Sequence, residues 1–190
     1  MVILMLEDSK IIALFYARSE QAIEELSKKY EALCRKIAGN ILNNDLDAEE
    51  CVNDAFSAAW TTIPPQNPKP LKAYISRITR NLAIAKYHKN TAKKRNSFYD
   101  LALEELEECI PALQDVETEI AGKELTHSLE NFLDTLDKES RIMFIRRYWY
   151  SDSISEIAER FQLSKNHVMV KLSRIRMKLK KYLEKEGFTV

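Results

Sequence analysis

Glycine, proline and cysteine are all scarce in this chain. Only three Gly occur among its 190 residues, at Gly39, Gly122 and Gly187. Four of the five Pro crowd between Pro64 and Pro70, and the fifth is Pro111. An all-β chain needs a turn every ~8–12 residues, and turns lean on Gly and Pro. The chain therefore reads as all-α. No G-x-G occurs, which excludes a glycine-rich phosphate loop. The cysteines, Cys34, Cys51 and Cys109, are odd in number and lack C-x-x-C spacing. They offer neither a disulfide framework nor a cysteine zinc site, and they fit a reducing compartment. The apolar start, Met1 to Leu6, meets Glu7 and Asp8 at once and has no basic flank. It falls far short of the ~20 residues of a membrane span. The expectation is a cytoplasmic protein with no membrane insertion. No nucleophile–base pair, metal-ligand cluster or convergent carboxylate pair stands out. An enzyme is not expected, and neither is a cofactor or a metal; His88 has no second ligand at metal spacing.

Acidic residues are missing from two whole stretches, 62–99 and 161–183. The formal charge is zero over the chain, but it is patterned. Residues 1–61 sum to −5, 62–99 to +9, 100–139 to −11 and 140–190 to +7. One charge run alone is as well explained by a solvated helix face. Two basic blocks around an acidic one suggest two surfaces for a polyanion, joined by a segment that should avoid it.

Helical periodicity runs throughout. A short helix follows Asp8 or Ser9. Ser19 can cap a helix to about Asn44, with Ile23, Leu26, Tyr30, Leu33, Ile37 and Ile41 on one face. Asp47-Ala-Glu-Glu50 has the spacing of a capping box and would open a helix to Trp60, with Val52, Ala55, Phe56 and Ala59 inward. The proline stretch ends it. Leu71 to about Lys89 reads as a further helix, with Ile75, Ile78, Leu82 and Ala85 inward. These elements make a first domain over residues 8–98. Residues 99–124 read as an acidic linker, helical only from Leu101 to Cys109 and broken by Pro111. A second domain spans 125–186. In it Ser128 to Leu136 forms one helix, and Asp137 caps the next, Lys138 to Trp149.

The end of the chain carries the sharpest local signal. Ser153-Ile-Ser-Glu156 is a capping box opening a short helix to Phe161. Gln162-Leu-Ser164 is a tight connection, and Ser164 caps a helix to about Glu184. Ile154, Ile157, Ala158 and Phe161 on the first helix face Val168, Leu172, Ile175 and Leu179 on the second. This is helix-turn-helix spacing, in which the second helix enters a major groove. An ordinary amphipathic hairpin shares the pattern but does not need an acid-free helix. Gln162 stands where such turns need positive φ, which typically costs a non-glycine residue ~1 kcal/mol. The second helix offers Lys165, Asn166, His167, Lys171, Arg174 and Arg176 to duplex DNA. In the first domain, Tyr74, Arg77, Arg80, Asn81, Lys86 and His88 mix cations, aromatics and an amide. Stacking plus phosphate neutralisation is how single strands are held.

Ile41 to Trp60 followed by Leu71 to Ala83, which includes Tyr-Ile-Ser-Arg-Ile-Thr-Arg-Asn-Leu, resembles region 2 of sigma factors. Arg141 to Leu183, with Ser155-Glu-Ile-Ala-Glu-Arg-Phe-Gln-Leu-Ser164, resembles region 4. Both in this order, with nothing but a short linker between, are similar to the extracytoplasmic-function group of bacterial RNA polymerase sigma factors. The resemblance implies binding to core RNA polymerase and promoter recognition. Glu49, Glu50, Asn53, Asp54 and Ser57 would meet the polymerase clamp. The residues from Tyr74 to His88 named above would hold the single-stranded non-template −10 element, with Asn81 at a flipped base. The terminal helix would read the −35 duplex, and the helices before it would meet the flap. An anti-sigma factor is a further partner that the family implies. Ala85 and His88 depart from the Asp and Arg that many members carry there. Asn166-His167-Val168 departs from Gly-Thr-Val. The rival readings are a stand-alone helix-turn-helix transcriptional regulator, which leaves 48–98 unexplained, and a protein-binding helical adaptor, which leaves both acid-free blocks unexplained.

Overall fold

The computed structural model describes residues 5–90, 97–107, 109–110 and 119–188. All regular structure among them is helical. The chain divides into two compact units, residues 1–97 and 98–190. The basic run Lys93-Lys94-Arg95 and the expected break at Pro111 lie outside the described residues.

The first unit contains α1 (Asp8–Tyr16), α2 (Gln21–Leu42), α3 (Asp45–Thr62) and α4 (Leu71–Asn90). α2, α3 and α4 pack mutually, and α1 lies against α2. Ala38, Ala48, Ala55, Ala59 and Ala83 are all buried, so small side chains let the backbones approach closely. Ile11, Phe15, Leu26, Ile37, Ile41, Leu71 and Ile75 fill the larger volumes. Burial also pushes the Cys34 and Cys51 thiols up to about 11, so both stay protonated at neutral pH.

Two expected caps are not used. Ser19 contributes only its carbonyl, to Ala22 N at 2.9 Å, and α2 begins at Gln21. Asp47 lies inside the first turn of α3, whose N-cap is Asn44; its side chain accepts from Leu46 N at 3.0 Å and Asp47 N at 3.1 Å. The chain turns early because Asn43 adopts the left-handed conformation at φ 49, which ends α2 two residues before α3 starts. The inward row of α4 also differs. Tyr74, Ser76, Thr79 and Ala83 are buried beside Ile75, Ile78 and Leu82 are half-buried, and Ala85 is exposed. Thr79 can be buried because its hydroxyl donates to Ile75 O at 2.9 Å, which satisfies the polar group within the helix.

The second unit contains α5 (Phe98–Glu107), α6 (Glu119–Thr135), α7 (Lys138–Phe144), a π-helical turn (Ile145–Trp149), α8 (Ile154–Phe161) and α9 (Lys165–Lys185). Its core joins Phe132, Met143, Phe144, Ile157, Val168, Leu172, Ile175 and Leu179. Ala102 and Cys109 belong to the same cluster. The first part of the acidic segment is thus folded into the second unit, where a linker had been expected. The caps here are as expected. Asp137 accepts from Ser140 N at 2.9 Å, and Ser140 holds its carboxyl below the ordinary value. Ser153 and Glu156 form the reciprocal capping box, at 3.2 and 2.9 Å. Ser164 accepts from His167 N at 3.2 Å.

Gln162 sits in the left-handed region at φ 54 and closes α8. Glycine has no Cβ to strain there. Gln162→Gly is expected to stabilise the second unit by ~1 kcal/mol. Urea unfolding followed by helical circular dichroism would show a higher midpoint; an unchanged or lower one would contradict a strained turn.

Candidate nucleic-acid interface

On α3 the packed residues are Ala48, Cys51, Val52, Ala55, Phe56 and Ala59. Helical geometry then turns Glu49, Glu50, Asn53, Asp54 and Ser57 outward, and all five are exposed. Asn53, Phe56, Ser57 and Trp60 form one wall of a shallow groove whose other wall is Glu20, Ile23 and Glu24 beside α2. The α2 wall was not legible from α3 alone. It adds two carboxylates to an apolar floor. Arg18 holds Trp60: its Nη1 donates to Trp60 O at 2.6 Å, and its guanidinium lies 5.5 Å from the indole ring.

α4 divides the six expected single-strand residues. Arg77, Asn81 and His88 are exposed and fall within ~40° of one another at 3.6 residues per turn. Arg80 is half-buried at the edge of this face. Lys86 lies on the other side, where its Nζ meets Glu50 at 2.6 Å and Asp47 at 3.1 Å. The Glu50 hydrogen bond is the main reason its ammonium pKa is raised. Tyr74 is not presented for stacking. Its ring is buried and its hydroxyl donates to Thr62 Oγ1 at 2.7 Å. It instead supports Arg77, whose guanidinium lies 5.9 Å from the ring centre.

In the second unit Val168, Leu172, Ile175, Leu179 and Leu183 are buried, so the opposite side of α9 faces solvent. Lys165, Asn166, His167 and Arg174 are exposed there. Lys171 is half-buried and its Nζ pairs with Glu139 of α7 at 2.6 Å. Asp137, Ser140, Asn166, His167, Lys171 and Arg174 line one groove along this face.

Arg176 is not part of that surface. Its Nη1 donates to Glu105 Oε2 at 3.1 Å and to the Tyr148 hydroxyl at 2.8 Å. The same Glu105 accepts from Arg147, at 3.2 Å from Nε and 2.5 Å from Nη2 to Oε1. Arg147 is 2% exposed, and its Nη1 also donates to Asp152 O at 3.0 Å. The Tyr148 hydroxyl completes the set, donating to Glu105 Oε2 at 2.8 Å. Burial first, and the Glu105 charge second, raise the Tyr148 pKa. The π-helical turn lets two adjacent residues, Arg147 and Tyr148, both point inward to α5. No His, Cys, Asp or Glu cluster fit for a metal occurs among the described residues. None of their helices is long and apolar enough to cross a membrane.

Two family profiles match this chain. Sigma-70 region 2 matches residues 13–93, and Sigma-70, region 4 matches residues 126–179. The chain belongs to the sigma-70 family. The two matches leave only the segment around α5 and the chain ends outside, and each falls within one structural unit. Region 2 followed by region 4 is the domain order of the extracytoplasmic-function group that the sequence resembles. The protein is a sigma factor for transcription initiation, and its domains imply core RNA polymerase and promoter DNA as partners. Sigma factor families are regulatory. A solved structure of CnrH in complex with the cytosolic domain of CnrY is similar over 93% of this chain and 97% of that one, at 21% identity and a TM-score of 0.43. No curated protein gives a significant match.

Proposed function

We propose that this sigma factor assembles with core RNA polymerase in the cytoplasm and carries it to promoters through three surfaces. The exposed face of α3, with the groove that Glu20 and Glu24 border, docks on the clamp. The Arg77–Asn81–His88 face of α4 holds the non-template −10 strand, with Asn81 on a flipped base. α9 reads the −35 duplex, and the helices before it approach the flap. An anti-sigma factor that covers these faces would silence all three functions at once.

The observation that carries this reading is the pairing of an acidic outward face on α3 with two basic, outward-facing helices, α4, which has no acidic residue, and α9, which has none before Glu184. An acidic face suits a basic protein groove, and acid-free faces suit a polyanion. Core polymerase incubated with the full chain should initiate at a defined promoter, whereas core alone should not. If the chain binds duplex DNA by itself and never joins core polymerase, it is a stand-alone regulator and the proposal falls.

Asn81→Ala offers a finer check. A bidentate base contact is worth ~1–3 kcal/mol of discrimination, so open-complex formation should drop about tenfold at one −10 position. Binding to a −35 duplex should barely change. Wild-type proportions of transcript from a full −10 panel would remove Asn81 from the base-reading role.

A further inference from the structure

The outermost line of α9 is not its most basic one. At 3.6 residues per turn, Asn166, Val170 and Arg174 form a ridge opposite the buried row of Val168, Leu172, Ile175 and Leu179. All three residues line the grooves on both flanks of α9, so they are the crest between them. Val170 is 41% exposed at the centre of that crest. Neither the Asn166 nor the Arg174 side chain makes a hydrogen bond or ion pair with the described residues. The neighbouring cations are engaged: Lys171 with Glu139, and Arg176 with Glu105 and Tyr148.

A crest that carries an amide, a branched aliphatic and a guanidinium in succession has a specific complement. Asn can pair bidentately with adenine N6 and N7, and Arg with guanine O6 and N7. The thymine 5-methyl is the apolar feature of the major groove. We propose that Val170 reads a thymine methyl group in the −35 duplex, between base pairs faced by Asn166 and Arg174. The proposal rests on the reading of α9 as the −35 helix and names its central specificity residue. Successive crest residues are ~6 Å apart along the helix. The complement is therefore an adenine and a guanine roughly two base-pair steps to either side of the thymine. The absence of any acidic residue from Phe161 to Leu183 favours DNA over a protein as the occupant of this face.

The test uses holoenzyme made from core polymerase and the full chain. A duplex pool randomised over the −35 element, upstream of a constant −10 element, is taken through rounds of binding and recovery. Each thymine of the recovered sequence, on either strand, is then replaced by deoxyuridine, which removes the 5-methyl group and nothing else. One replacement should weaken wild-type binding about fourfold, the value of one buried methyl. Val170→Ala should bind the thymine and uracil duplexes alike, whereas Val170→Thr, which keeps one methyl, should retain part of the preference. An unfolding midpoint for Val170→Ala no lower than wild type, expected because Ala favours a helix over Val at an exposed position, separates lost reading from lost folding. If no thymine responds, or if Val170→Ala keeps the wild-type response, the proposal is overturned. If the pool yields no −35 sequence at all, the −35 role of α9 itself fails, and that result is distinct from a recovered sequence that is blind to the methyl.

Discussion

Glu105→Ala should cost the second unit ~3–5 kcal/mol, the usual penalty for breaking a buried ion pair by removing one partner. The carboxylate accepts from Arg147, Tyr148 and Arg176 together. Without it Arg147 keeps a buried charge that, among the described residues, only the Asp152 carbonyl still meets. Arg147→Ala should cost as much, and the double variant should cost clearly less than the two singles added, because the second change removes the orphan left by the first. Glu105→Gln keeps the shape and one acceptor oxygen, so its loss should be smaller. Hydrogen exchange on the full chain reads this directly. Amides of α7, α8 and α9 should exchange faster in Glu105→Ala, while those of α2 and α3 should keep their protection. Equal protection throughout would mean that α5 rests on the unit without holding it.

Asp54→Lys should abolish or severely weaken assembly with core polymerase while leaving the first unit folded. Asp54 is exposed on the face opposite Val52, Phe56 and Ala59, so reversal introduces no charge into the core. A charge partner buried at an interface typically costs ~2–5 kcal/mol when removed, and reversal adds repulsion to that loss. Glu50→Lys is a less selective probe. Glu50 holds Lys86 at 2.6 Å, so the reversed charge would face that ammonium and loosen α3 from α4. Co-elution of each variant with core polymerase, beside its unfolding midpoint, separates the two effects. Wild-type assembly by Asp54→Lys would exclude this face as the dock.

The helix-turn-helix was legible because its determinants are local. Ser153, Glu156 and Ser164 set both helix starts within a few residues, and the apolar period sets which faces meet. The strained position was readable for the same reason, since a three-residue connection leaves Gln162 little choice. Caps in the first unit were less readable. Asn44, Asp45 and Asp47 are all capable of capping, and what selects Asn44 is the reversal at Asn43, a backbone event that leaves no periodic trace. The buried row of α4 departs from the apolar period because Thr79 satisfies its own hydroxyl and so behaves as an apolar residue. The Glu105 cluster was not legible at all. Its other members lie 42 to 71 positions from Glu105 in sequence, and a census of charge counts Glu105 as one acid among many. On α9 the polar side chains were the legible signal; Arg176 shares it although Glu105 and Tyr148 engage it, and Val170 does not.

The packing of α5 changes where this chain can be cut. The region 4 match covers residues 126–179, bounds that invite a fragment trimmed to them. At its front it would lose Ala102, Glu105, Cys109 and Leu125, so Arg147 would stay in the interior without its carboxylate. At its back it would lose Leu183, fully buried in the whole unit, and Tyr182, whose ring lies 5.6 Å from that of Phe132. Such a piece would keep every exposed residue of α9 proposed to face bases and still present them poorly. The smallest excerpt that preserves the proposed −35 surface starts no later than Phe98 and ends no earlier than Phe188, which packs partly buried against the same core.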